Sequence, residues 1–195
     1  MPKVGMEPIR REALVLATIA EVGEAGSLDV TVSQIAKRAG MSSALAHHYF
    51  GGKDQIFLAA MRHILTGYGR EVRAALAGKA DHTARLEAII RASFSDSQFG
   101  AEVISAWLNF YVKAQQSPDA ARLLRLYHRR LHSNLLHDLR PLVGARADEV
   151  ARSIAAMIDG VYIRQALSGA PVTPEAAAAL VSSVLHMALA QEARQ

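Results

Sequence analysis

The chain of 195 residues allows one large domain or two small ones, at roughly 100–200 residues per domain, and is long enough for a real core. It contains no cysteine, which excludes disulfides, thiolate metal sites, iron–sulfur clusters and thiol nucleophiles and fits a reducing compartment. Hydrophobic residues at 51% and charged ones at 21% describe a folded, soluble chain, and a net charge of +4 suits an anionic partner such as nucleic acid.

Apolar residues recur at helical spacing along the chain, and no segment alternates with period two. Ile9, Ala13, Leu16, Ala17 and Ala20 mark a first helix, although Glu7, Arg10, Arg11 and Glu12 fall where a secretory signal would need its apolar core. Two segments of about eight residues follow between Gly26 and Gly52. A longer helix starts near Lys53 with Phe57, Ala60, Met61 and Ile64 on one face, and the helices beyond it should run roughly fifteen to twenty-two residues. Ile154, Met157, Ile158 and Val161 mark the penultimate helix and 174–189 the last. Breakers fall at Gly23/Gly26, Gly40, Gly51-Gly52, Gly78, Pro118, Pro141/Gly144 and Gly169-Ala170-Pro171. The expectation is an all-α chain of about nine helices. Residues 1–53 form a small unit that extends into a connecting helix over 54–76, and 77–195 form a larger body. The most apolar stretch, 176–189, is interrupted by Ser182, Ser183 and His186, so no membrane span and a cytoplasmic location are expected.

The informative stretch is 31–50, Thr-Val-Ser-Gln-Ile-Ala-Lys-Arg-Ala-Gly-Met-Ser-Ser-Ala-Leu-Ala-His-His-Tyr-Phe, which reads as a helix-turn-helix. Two helices crossing steeply need a small residue at the crossing, supplied by Ala36, and a residue tolerant of positive φ at the turn, supplied by Gly40. Ile35, Ala39, Met41 and Ala46 are the expected buried contacts, with Ser42 or Ser43 capping the second helix. That helix would lie in the major groove: Ser43 and His47 suit hydrogen bonds to base edges, and Ala44 suits a thymine methyl. Thr31, His48, Tyr49 and Lys53 are better placed for phosphates. The DNA-binding set is thus Thr31, Ser42, Ser43, Ala44, His47, His48, Tyr49 and Lys53, while Lys3, Arg10 and Arg11 are either further backbone contacts or a solvated charged end.

The run 31–53, with Ala39-Gly40-Met41-Ser42 and then His48-Tyr49-Phe50-Gly51-Gly52-Lys53, resembles the DNA-binding signature of the TetR family of bacterial repressors. One departure is His47, where many members carry tyrosine. The resemblance implies a homodimer joined through its last two helices, bound to double-stranded operator DNA and holding a small-molecule inducer. Three further blocks resemble the branch of the family that represses choline uptake and glycine betaine synthesis under osmotic stress. They are Met1 to Met6 with Ile9-Arg10-Arg11, Ala106-Trp107-Leu108 with Phe110, and 158–164 with 166–169. An inducer related to choline is implied.

A trimethylammonium group accepts no hydrogen bond, so a protein holds it with aromatic faces, sometimes assisted by a carboxylate. Trp107, Phe110 and Tyr111 share one helix face at i, i+3, i+4, and Asp159 and Tyr162 share another at i, i+3, with Tyr127 as an additional candidate. Aromatics at this spacing serve equally well as plain core. Asp159 could also pair with Arg164 or a helix end. A TetR-type repressor with a different, lipophilic ligand is the alternative, and it would want a dry apolar lining. His128 and His132 at i, i+4 sit among Arg125, Arg129 and Arg130 with no carboxylate evident in the sequence, so a solvated face is favoured over a metal site. No phosphate loop, nucleophile elbow or His-Glu-x-x-His motif points to an enzyme, and no cofactor is expected.

Overall fold

The computed structural model describes residues 5–168 and 172–192; Lys3 and the Gly169-Ala170-Pro171 break lie outside the described residues. Among these it contains ten α-helices: α1 (Met6–Ala25), α2 (Val32–Arg38), α3 (Ser43–Phe50), α4 (Lys53–Leu76), α5 (His82–Ser93), α6 (Asp96–Phe99), α7 (Ala101–Gln116), α8 (Pro118–Val143), α9 (Ala147–Leu167) and α10 (Pro174–Glu192). A single 3-10 turn, Gly144–Arg146, joins α8 to α9. The all-α class read from periodicity is what the chain adopts, with the single-turn α6 as the addition to about nine helices. No described helix is long and apolar enough to cross a membrane.

Two expectations about breaks need correction. Gly23 does not end α1, which runs on to Ala25 and stops at Gly26 with φ +64°. Its role is close packing: a Cβ there would lie 2.7 Å from Glu102 Cα, so α7 crosses α1 at the bare backbone. The helices after Lys53 are also less even than expected, because Ser95 and Gly100 cut out the four-residue α6 and leave α5 at 12 residues, whereas α8 reaches 26. Pro141 sits inside the last turn of α8 instead of ending it.

One apolar core runs through both parts of the chain. Leu14 of α1, Ile35 of α2, Ile56 and Met61 of α4, Phe110 of α7 and Leu131, Leu135 and Leu139 of α8 are all essentially inaccessible. Each such side chain contributes about 1.5–3 kcal/mol on burial. Because α1 packs on α2, α4 and α7, the helix-turn-helix shares walls with the body. A polar tie closes the far end, where the buried Asp138 Oδ1 accepts from Arg85 Nε at 2.8 Å and His82 Nδ1 at 2.9 Å, joining α5 to α8.

Candidate DNA-binding surface and aromatic site

The helix-turn-helix is fixed by local chemistry. Thr31 caps α2 through a capping box: its Oγ1 accepts from Gln34 N–H at 3.2 Å, and Gln34 Oε1 accepts from Thr31 N–H at 2.7 Å. Gly40 at φ +68° ends α2, with Met41 N–H donating to the Ala36 carbonyl at 2.8 Å and Gly40 N–H to Lys37 at 3.1 Å. This is a Schellman pattern, whose left-handed residue favours glycine. Ser42, not Ser43, caps α3, accepting from Leu45 N–H at 3.3 Å. Ala36 and Ala46 are fully buried at the crossing beside Ile35, and Ala39 and Met41 pack half-buried against the same core.

Only Ala46 of α3 is buried, so most of the helix is free to meet a groove. Ala44, His47 and His48 are exposed. Ser43 and Ser33 hydroxyls lie 2.9 Å apart and bridge α3 to α2, which orients Ser43 at the start of the helix. His47 Nδ1 is 3.0 Å from the Gly51 carbonyl, an arrangement that calls for a proton on Nδ1 and leaves Nε2 without a partner inside the described residues. The Tyr49 ring, half-buried, packs at 5.6 Å from His48 and under the Arg11 guanidinium at 5.5 Å; Arg11 also lies 5.0 Å from the Phe50 ring. Lys53 donates one of its three N–H groups to the Leu28 carbonyl at 2.9 Å, pinning the loop between α1 and α2. Among the other basic residues of this unit, Arg38 is held by Glu21 and Glu24, which raise its pKa through hydrogen bonds.

In the body the structure gathers Trp107, Tyr111, Asp159 and Tyr162 into one cluster. The Trp107 ring centroid lies 4.7 Å from Tyr127, 5.7 Å from Tyr111, 5.8 Å from Phe110 and 6.2 Å from Tyr162. Tyr127, a secondary candidate in the sequence, is therefore the nearest ring. Phe110 faces the other way as well, toward Phe57 of α4 at 6.4 Å, and is fully buried in the core. Asp159, partly buried, accepts from the Tyr111 hydroxyl at 2.9 Å and meets His128 Nε2 at 3.2 Å; the pairing with Arg164 considered in the sequence is not among its contacts. The Tyr162 hydroxyl is committed to the α5–α6 turn, 2.5 Å from the Ser93 carbonyl and 3.1 Å from that of Gln98. Burial, reinforced by the Asp159 charge, pushes the Tyr111 and Tyr162 phenols well above the ordinary range, and burial with the neighbouring Tyr68 does the same to Tyr127. Tyr68, which hydrogen-bonds Ser93 Oγ at 3.1 Å, is pushed up to about 12. The cluster is thus neutral phenol and indole beside one carboxylate, an environment that favours a cation.

The N-terminal part, residues 14–60, matches the model of the bacterial regulatory proteins of the tetR family, and residues 82–190 match that of the BetI-type transcriptional repressor C-terminal domain. The chain is 57% identical over 181 residues to the HTH-type transcriptional regulator BetI of Brucella suis, covering 92% of this chain and 90% of that protein. To the BetI of Rhizobium meliloti it is 49% identical over 187 residues, covering 95% and 92%. The chain belongs to the TetR family, among its BetI-type repressors.

Solved structures share the fold of this BetI-type repressor. A transcriptional regulator from Rhodococcus sp. Rha1 superposes with a TM-score of 0.83 at 24% identity, covering 93% of this chain and 96% of that one. Another, from Saccharomonospora viridis in complex with choline, gives 0.80 at 21% identity, covering 90% and 95%. For a BetI-type repressor, a DNA-binding regulator of transcription, the sequence motif led directly to α2 and α3. Sequence reasoning missed the Arg11 stack on Tyr49, the Ser33–Ser43 bridge and the His128–Asp159 pair. The last had a signal in hindsight, since His128 follows Tyr127 on the helix facing α9.

Proposed function

We propose that this repressor binds a roughly palindromic operator as a homodimer, in the cytoplasm, and is released by choline or a related quaternary ammonium compound. The regulated genes would be those of choline uptake and glycine betaine synthesis. The observation that carries the ligand class is the Trp107 cluster with Asp159 at its edge. The choline complex of the Saccharomonospora viridis neighbour supports the same class. Thr31, Ser42, Ser43, Ala44, His47, His48, Tyr49 and Lys53 would meet DNA; Trp107, Phe110, Tyr111, Asp159 and Tyr162 would serve the inducer, joined by Tyr127.

We assign residues 1–53, with the connecting helix 54–76, to DNA binding and 77–195 to ligand binding and dimerisation, a division in keeping with the family matches at 14–60 and 82–190. Exposed Ile163 and Leu167 of α9 and Leu180 and Met187 of α10 support a dimer joined through these helices. The mechanism rests on contact: Trp107 and Tyr127 already touch, so a trimethylammonium entering between them must part α7 from α8. The opposite side of α7 holds the DNA-binding unit. Ser105 Oγ donates to the Val22 carbonyl at 3.2 Å, and Lys113 Nζ to Asp54 at 2.8 Å. Moving α7 would therefore shift the spacing of the recognition helices, a population change between two states.

The test is a titration of choline into the complex of the protein with DNA from its own upstream region, at fixed salt. Saturable release is expected, and Trp107→Phe should raise the choline needed at least tenfold while operator affinity stays put. Tight operator binding indifferent to choline overturns the inducer assignment and leaves the repressor class standing.

A further inference from the structure

Between α4 and α8 lies a cleft of about 610 Å³, within the range of small-molecule sites, that shares only Tyr127 with the aromatic cluster. Its floor is aliphatic, with Leu65, Val72, Leu123 and Leu131, and Leu126 at its edge keeps 40% of its surface exposed. Arg62, Arg73 and Arg130 line it, and no acidic side chain does. Among the described residues none of the three arginines forms an ion pair, a state they share with other exposed arginines such as Arg70 and Arg129. A second observation points into the same cleft: Tyr127, only 8% exposed, lines it, yet its hydroxyl has no hydrogen-bond partner among the described residues. The hydroxyl still reaches solvent, so it is a donor free to meet a ligand that enters the cleft.

A choline-like cation is disfavoured here, because three arginines and no carboxylate line the cleft. The complementary occupant has an apolar body and an anionic head. We propose that the α4–α8 cleft is a second ligand site, taking an aliphatic carboxylate of medium chain length. Its chain lies over the leucine and valine floor. Its carboxylate takes hydrogen bonds from the guanidinium groups, with the Tyr127 hydroxyl as a further donor. An occupant would touch both α4, which enters from the DNA-binding unit, and Tyr127, which packs on Trp107. The site is thus placed to report on a second metabolite through the same helices, and it does not depend on choline being the inducer.

The experiment uses dodecanoate below its micelle concentration, titrated into the full chain and read by calorimetry and by the fluorescence of the single tryptophan, Trp107, against Tyr127. One-to-one saturable binding is expected. Neutralising the rim in the triple variant Arg62→Gln/Arg73→Gln/Arg130→Gln should weaken it at least tenfold, and its circular dichroism should match the parent because all three side chains are exposed. Dodecan-1-ol, with the same chain and no charge, should bind this cleft at least tenfold more weakly than dodecanoate in the parent. Choline binding should survive in the triple variant, which separates failure here from failure of the inducer reading. Absence of saturable binding, equal affinity for the two amphiphiles, or indifference of dodecanoate to the triple substitution would each overturn the proposal.

Discussion

Tyr49 and Lys53 stand where the DNA-binding reading meets the internal structure. The tyrosine ring is held between His48 and the Arg11 guanidinium, and the lysine spends one donor on Leu28 while keeping two for solvent or a phosphate. Lys53→Ala should weaken operator binding about equally for all sequences and lower the slope of log affinity against log salt by about 1. Tyr49→Ala should cost on the order of tenfold in operator affinity, with unchanged dimerisation by light scattering. An unaltered salt slope in the first variant, together with unaltered affinity in the second, sinks the assignment of this face to phosphates. The tyrosines of the body make a different prediction. Phenols whose folded pKa lies above the unfolded value of about 10 contribute stability that is whole below pH 10 and is lost as pH rises through the folded values, about 12 for Tyr68, with Tyr111, Tyr127 and Tyr162 raised in the same direction by burial. Melting temperature should therefore fall steeply above pH 10, and phenolate absorbance from these four should appear together with loss of helical circular dichroism. More than one equivalent of phenolate appearing at pH 10 in a chain still folded would contradict their burial, since Tyr49 is the one tyrosine outside this set.

At the scale of the element, α7 matters because its two sides do different things. Trp107 and Tyr111 face the aromatic site, while Glu102, Ser105 and Lys113 meet α1 and α4. The closest approach is at Gly23, and Gly23→Ala tests it. A Cβ placed 2.7 Å from Glu102 Cα meets backbone, which cannot swing away, so the helices must separate. Alanine would gain up to about 1 kcal/mol of helix propensity, but overpacking costs typically about 1–3 kcal/mol. A net loss is expected, read as a lower melting temperature; a stabilised variant would mean that α1 and α7 adjust freely. From the sequence Gly23 is only a possible break, because a glycine that ends a helix and one that admits a neighbour look alike until the neighbour is placed. Likewise the division of the α5–α7 region came from Ser95 and Gly100, whose helix-breaking effect depends on the turn being held by Tyr162 and Glu71.

For the molecule as a whole, the unexplained surface is the apolar skin of α9 and α10. Leu167 is 74% exposed and Met187 63%. If these helices pair with a second copy, Leu180→Asp/Met187→Asp should yield a monomer in solution that retains its helical content, with operator affinity reduced by orders of magnitude because one half-site remains. A dimer persisting through both substitutions would move the interface elsewhere.

The helix-turn-helix was legible from the amino acids because its determinants are local. A cap at Thr31, a left-handed turn at Gly40 and small residues at the crossing act within about twenty residues, and backbone sterics allow few alternatives. The all-helical class was legible for the same reason, since periodicity is a property of neighbours in the chain. The aromatic site was legible only in parts. Trp107 and Tyr111 share a helix face by spacing alone, yet whether Asp159 would meet Tyr111 or Arg164 depended on how α9 turns against α7 and α8. Tyr127 as the ring nearest Trp107, Tyr162 as a strut of the α5–α6 turn, and the arginine-lined cleft were likewise decided by helix packing. Contacts across tens of residues are set by how whole apolar faces interlock, and that is a property of the assembled core.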